Sequence, residues 1–324
     1  MIAHLVRRLL QSFAVLAAMS VLVFAGVYAV GNPIDILVNP QSDQNEIARA
    51  TAALGLDRPL AEQYLAFIGH AATGDLGTSF AFNVPAVGLI IERMPATLEL
   101  ATAAMLIAVA LGIPLGLWAG LRPGTPAGKA IAAGSIIGFS LPTFWVGLML
   151  IMVFSVWLGW LPTSGRGPVT SLFGIPVSFL SAEGLRHLAL PAANLALFNL
   201  ALIVRLARSG TAEAMRQDYV RFARAKGLTE SRVVLGHVLR NIMIPIVTVA
   251  GVEFGSVIAF AVVTESIFAW PGIGKLLIDS INVLDRPVIV GYLCIVVTLF
   301  VAINFVVDLL YAWLDPRVRM EENA

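Results

Sequence analysis

The sequence predicts an all-α membrane protein with six transmembrane helices, and three observations carry that prediction. Only 13% of its 324 residues are charged and 58% are hydrophobic, whereas soluble domains carry roughly 25% charged residues. The mean hydropathy of +0.87 is too high for a water-exposed surface, so the apolar excess has to face lipid. The charges that remain are also spaced to leave windows of about 20 uncharged residues, the length that crosses the hydrocarbon of a bilayer. A soluble enzyme is excluded. The formal net charge of +1 offers no global attraction for nucleic acid.

Residues 9–34, 100–121, 130–165, 187–204 and 287–307 contain no Asp, Glu, Lys or Arg, and residues 241–264 contain only Glu253. These are the six expected spans. The apolar run of the first is longer than the 7 to 15 residues typical of a signal-peptide core, so it reads as a retained helix. The third is long enough for two spans, but Trp157 and Trp160 form an interfacial belt and Pro162 an exit, which makes one span the expectation. The fourth is near the lower limit of about 17 residues, with Arg186 and Arg205 able to snorkel at its ends. Pro114, Pro142, Pro191 and Pro245 are expected to interrupt four spans as packed kinks. The domain organisation follows: a tail and first span (1–34), an outside loop (35–94), a core (95–312) containing a charged segment (209–241), and a tail (313–324).

Cytoplasmic connections retain Lys and Arg. With six spans, fourteen of the 21 basic residues fall on the side of Arg7, Arg8 and Arg317 and seven on the other, which places both termini in the cytoplasm. The loop 35–94, acidic through Asp35, Asp43, Glu46, Asp57, Glu62, Asp75 and Glu92, is then outside. It holds a predicted short helix over residues 46–54, stopped by Gly55, and a turn at Gly74-Asp75-Leu76-Gly77.

Residues 209–241 are the most charged part of the chain. Met215, Tyr219 and Phe222 stand at i, i+4 and i+7 and predict an apolar stripe, with Arg216, Arg221 and Arg224 on the other sides. Arg224 and Lys226 before Gly227 predict a helix end, because basic residues suit the negative end of the dipole and glycine takes the left-handed cap. Thr229 then suits an N-cap and Glu230 a first turn. Two short helices hinged at Gly227 are expected.

The string Asp218-Tyr219-Val220-Arg221-Phe222-Ala223-Arg224-Ala225-Lys226-Gly227-Leu228, with His237-Val238-Leu239-Arg240-Asn241 and Ile244-Pro245, resembles the cytoplasmic coupling region of ABC importer permeases of the dipeptide, oligopeptide and nickel branch. Further similarity lies in Arg7-Arg8-Leu9, Gly55-Leu56-Asp57-Arg58-Pro59, Gly74-Asp75-Leu76-Gly77, Pro95-Ala96-Thr97-Leu98-Glu99-Leu100, Ile267-Phe268-Ala269-Trp270-Pro271-Gly272-Ile273-Gly274 and Asp315-Pro316-Arg317. One departure is that Arg221-Phe222-Ala223 stands where the general importer motif has Glu-Ala-Ala, a variant common in this branch. The resemblance implies a type I importer permease fold in the bacterial inner membrane and a non-enzymatic subunit. The implied partners are a second permease as heterodimer, two ATPase subunits that bind ATP and Mg, a solute-binding protein outside, and the lipid bilayer. Asp218, Tyr219, Arg221, Ala223, Arg224, Ala225, Lys226, Gly227 and Leu228 would couple to the ATPase. The implied cargo is a di- or oligopeptide, with nickel or a nickel chelate as the alternative.

A secondary transporter is the reading from another class, and the absence of an inverted repeat opposes it. Gly272-Ile273-Gly274-Lys275 lacks the upstream glycine spacing and the Ser or Thr of a phosphate loop. The four histidines are dispersed, and the lone Cys294, in an apolar run, reads as a small packing side chain. Neither arrangement suggests a metal or a cofactor in this chain, and no nucleophile elbow is present. Glu253, mid-span, is the candidate for the translocation path, since a carboxylate there needs a cavity or a partner. Glu99 and Asp308, nearer span ends, read as satisfied structural groups, and Asn194, Asn199 and Asn304 as interhelical hydrogen-bond donors. Asp57, Asp75, Trp270, Pro271 and Gly272 are the candidates for binding-protein docking.

Overall fold

Charge-free sequence forms helix here because a backbone in lipid must satisfy its own hydrogen bonds. The computed structural model describes residues 2–29, 44–53 and 57–314. Twelve α-helices are found among them: α1 (Ile2–Ala29), α2 (Gln44–Ala53), α3 (Leu60–Ala72), α4 (Ala86–Leu121), α5 (Pro126–Ser140), α6 (Thr143–Leu150), α7 (Ala182–Ala214), α8 (Asp218–Ala225), α9 (Glu230–Val233), α10 (Leu239–Ile267), α11 (Ile273–Asn282) and α12 (Arg286–Leu314). Helix α6 continues as a π-helical stretch, Ile151–Trp157, and a second such stretch, Val234–Val238, joins α9 to α10. A hairpin of β1 (Thr170–Leu172) and β2 (Ile175–Val177) precedes α7, paired Thr170 to Val177 and Leu172 to Ile175. Gly55, Leu56, Asp315 and Arg317 lie outside the described residues, as does the side chain of Asp308.

Among the described residues, five helical segments are long and apolar enough to cross a membrane: Arg7–Gly26, Ala86–Leu121, Ala182–Ala214, Glu230–Ile267 and Arg286–Val307. The third expected span differs from the prediction. It is a pair, Pro126–Ser140 and Thr143–Trp157, bent by 108°, and six spans result if the pair is one. The bend falls at Leu141 and Pro142, where Leu141 is extended (φ −81, ψ 134), the conformation a following proline imposes. Pro114, Pro191 and Pro245 lie inside helices that continue through them. The fourth span is not short. Its 33 residues include charged ends that absence of charge could not delimit.

The chain forms two compact units, Met1–Met94 with Gly272–Val301 and Pro95–Pro271 with Ala302–Ala324. In the first, the Ser20 and Tyr64 hydroxyls are 2.8 Å apart and the Phe24 ring meets Tyr64 edge-on at 5.4 Å. Helix α3, which the sequence reading missed, supplies Tyr64; among the described residues the stretch between the first two spans thus holds α3 as well as α2. Buried Asp285 accepts from the Ser79 hydroxyl and from the Phe80 and Ala81 amides at 3.1 and 3.2 Å, which holds the turn before α4.

In the second unit, α4 lies against α7 through Gly112, Gly116 and Gly120. A Cβ added at Gly116 would sit 2.5 Å from the Ala207 Cβ, and one at Gly120 would sit 2.6 Å from that of Thr211. Such spacing-of-four glycines let two backbones approach where no hydrophobic effect drives them together. Buried Glu99 accepts from Arg166 Nε at 2.9 Å and a second Arg166 nitrogen, from the Ser178 amide (2.7 Å) and hydroxyl (2.8 Å), and from the Phe179 amide (3.0 Å). It is the satisfied structural group expected. Asn194 Nδ2 donates to Thr264 Oγ1 at 3.0 Å, tying α7 to α10, while the buried Asn199 Oδ1 has no hydrogen-bond partner among the described residues.

Candidate coupling segment and transport path

Helix α8 ends as its last residues dictate. Gly227 takes φ +79, the Gly227 amide donates to the Arg224 carbonyl at 2.9 Å and the Leu228 amide to Ala223 at 3.3 Å. This is a Schellman end, which needs a left-handed residue after the cap. Open space surrounds the position where a Cβ would stand, so the requirement for glycine is conformational.

Across this hinge Arg224 reaches Glu230 with two hydrogen bonds, Nε to Oε1 at 2.7 Å and Nη2 to Oε2 at 3.1 Å. The bond to Glu230 raises the Arg224 pKa above its ordinary value. Lys226 Nζ stands 4.6 Å from the Phe222 ring centre, a cation–π contact. Asp218 and Arg221, both exposed, pair at 3.6 Å. Asn241 Nδ2 donates to the Tyr219 hydroxyl at 3.1 Å and links α8 to the base of α10.

Three expectations for this segment are corrected. The buried face of α8 is Val220 and Ala223, whereas Phe222 is 63% exposed and Met215 belongs to the end of α7. Helical spacing alone leaves that choice open, because the neighbour that covers the helix lies elsewhere in the chain. Thr229 holds the N-cap position without capping; its hydroxyl faces that of Ser231 at 3.3 Å. The second helix is not short either, since Glu230–Ile267 runs as one 38-residue helical segment through the π-helical stretch. The hinge is therefore joined directly to a membrane span. Of the remaining coupling candidates, Ala225 is exposed and Leu228 half-buried.

Glu253 lies on α10, half-buried, with no hydrogen bond or ion pair among the described residues. A cavity of about 530 Å³ opens beside the same helix, lined by Met105, Val247, Gly251, Phe254, Val306 and Val307 among others. Its lining is apolar and excludes Glu253; its one hydroxyl, on Thr248, is already spent on the Ile244 carbonyl at 3.0 Å. No group of three or more metal-ligating side chains occurs among the described residues.

The docking candidates separate. Asp57 and Asp75 are exposed, and Asp75 Oδ1 accepts from the Gly77 amide at 3.0 Å. Trp270 is wholly buried, its indole N–H on the Ala96 carbonyl at 2.8 Å and its amide on the Glu265 carbonyl at 2.8 Å. Gly272 is buried as well and Pro271 half-buried. Trp270 and Gly272 thus serve packing rather than an outer surface. The sequence reading missed the glycines of α4, although their spacing is a readable signal, and the buried Glu265, whose Oε1 accepts from Thr97 at 2.6 Å.

The long apolar helices, one of them entered through the glycine-capped segment, define a multi-pass helical membrane protein. The chain belongs to the family of binding-protein-dependent transport system inner membrane components: residues 112–320 match that description, and residues 1–101 match the family's N-terminal part. It is 42% identical to the di/tripeptide transport system permease protein DppB of Pseudomonas aeruginosa (98% of this chain, 99% of the relative). It is 38% identical to the dipeptide transport system permease protein DppB of Escherichia coli K12, with the same coverage. A chain of the inward-facing MetNI methionine ABC transporter matches 70% of this chain and 96% of its own length, with a TM-score of 0.53 at 16% identity. The fold is that of a type I importer permease.

Proposed function

We propose that this chain is the permease subunit of an ABC importer for di- and oligopeptides. The observation that carries the reading is the similarity, over 98% of the chain, to permeases named for dipeptide and di/tripeptide transport; it favours peptides over nickel. The chain would pair with a second, related permease in the bacterial inner membrane, both termini in the cytoplasm. Two ATPase subunits would bind and hydrolyse ATP with Mg, and a solute-binding protein would deliver cargo from outside.

The geometry suggests how force would pass. An ATPase groove closing on α8 moves a short helix whose inner face, Val220 and Ala223, is buried against the chain and whose outer face, with Phe222 and Lys226, is free. Because Arg224 grips Glu230 across Gly227, that displacement reaches Glu230–Ile267 as a unit. Glu253, on the same helix, would face the path and attract the amino group of a peptide, since a partnerless carboxylate at that depth is costly otherwise. Asp57 and Asp75 would meet the binding protein.

The test is uptake of a labelled dipeptide by the assembled transporter in liposomes. Gly227→Asp and Lys226→Glu are expected to abolish ATP-driven uptake while membrane insertion stays normal; normal uptake in both refutes the coupling assignment. Nickel uptake in the absence of any peptide uptake would replace the cargo. Glu253→Gln should lower peptide uptake, and deletion of residues 43–54 should lower stimulation of ATP turnover by the loaded binding protein.

A further inference from the structure

The hairpin before α7 carries an anomaly at its tip. Its two-residue turn has both residues left-handed, Phe173 at φ +52 and Gly174 at φ +84, the geometry of a type I′ turn, where Asn-Gly is favoured. A bulky side chain at positive φ is an outlier. Phe173 is moreover 97% exposed, and Val169, Ile175 and Leu180 of the same segment are exposed too. Strain and exposure are thus both accepted to keep an aromatic ring at this point, and strain of that kind points to function.

The tip is held firmly. Arg166 donates to the Pro176 carbonyl at 2.7 Å and to Glu99, and Glu99 takes the Ser178 and Phe179 amides just beyond β2. The hairpin is anchored at its root by buried charge. Residues 167–182 contain no charged side chain. On one side the segment follows Trp157 and Trp160, both exposed at the end of a helix of the membrane-spanning pair, and on the other it enters the span that begins at Ala182. Aromatic side chains at a span end mark the membrane–water boundary, so the hairpin lies at that boundary.

We propose that the hairpin is a membrane-interface anchor whose Phe173 side chain inserts into the headgroup and upper acyl region of the adjacent leaflet. A docking soluble protein fits the surface less well, because it would leave a charge-free apolar tip in water between encounters and would find no charge to steer it. Deep burial in hydrocarbon is excluded by the unpaired outer edges of a two-stranded ribbon. The side chain enters and the backbone stays at headgroup level.

Cys294 is the single cysteine of the chain, so a Cys294→Ser background accepts one spin label at a chosen site. Phe173→Cys and, as a second position, Ile175→Cys would be labelled in the assembled transporter in phosphatidylethanolamine–phosphatidylglycerol liposomes. Collision with oxygen and with a water-soluble nickel chelate is then compared with an Asp57→Cys control. The expected result is an oxygen-to-chelate ratio several-fold above the control at position 173, unchanged when the solute-binding protein is added. A ratio equal to the control, or a label immobilised only on adding that protein, overturns the proposal. Neither result bears on the cargo or on coupling.

Discussion

Arg224 and Glu230 are joined by a bidentate pair that closes over Gly227, with N–O distances of 2.7 and 3.1 Å. Both side chains are substantially exposed, so the pair is open to screening by salt. Reversing one charge, Arg224→Glu or Glu230→Arg, is expected to lower uptake per ATP hydrolysed, and the double reversal to recover much of it. Raising ionic strength should shrink the gap between wild type and single variants. Transport and ATP turnover measured on the same liposomes check this.

Gly227→Ala places a Cβ on a residue at φ +79 with empty space around it. The cost is the intrinsic one of a left-handed L-residue, about 1–2 kcal/mol. Amide exchange at Gly227 and Leu228, whose N–H groups close the end of α8, should accelerate by roughly 5- to 30-fold. Exchange measured by mass spectrometry over residues 223–230 reads it.

Gly116→Ala should destabilise the packing of α4 on α7, since its Cβ meets Ala207 at 2.5 Å and the Val204 carbonyl at 2.7 Å. Overpacking of this kind costs about 1–3 kcal/mol. Gly134→Ala, on α5 with no atom within 4 Å, serves as the control and should be neutral or slightly stabilising. Thermal unfolding of the purified protein in detergent separates them.

Glu99→Gln removes a charge from a buried site while Arg166, only 9% exposed, stays. Breaking one side of a buried pair costs about 3–5 kcal/mol. The same melting experiment should show a loss at least as large as that of Gly116→Ala. Proteolysis within residues 158–181 should rise in step, because Glu99 also holds the Ser178 and Phe179 amides.

The relation between sequence and structure differs from element to element. The spans were readable because a charge in hydrocarbon is penalised wherever it stands, so its absence marks lipid without knowledge of the fold. The end of α8 was readable for a similar reason: Arg224, Lys226 and Gly227 make a cap from contacts within six residues. Family resemblance, carried by strings such as Ile267 to Gly274, reached the permease class and left the exposure of each residue open.

What the sequence by itself determined is therefore the local and the compositional: membrane residence, the apolar centres of the spans, the glycine hinge and the family. Tertiary structure alone decided which of four prolines breaks its helix, that Val220 and Ala223 rather than Tyr219 and Phe222 face inward on α8, and that Trp270 is core. It also revealed the hairpin behind the Glu99–Arg166 pair, residues 67 apart in the chain. The physical reason is common to all of these. Burial and hydrogen bonding are settled by whatever a distant segment brings to the site, and a window of neighbouring residues does not contain that partner.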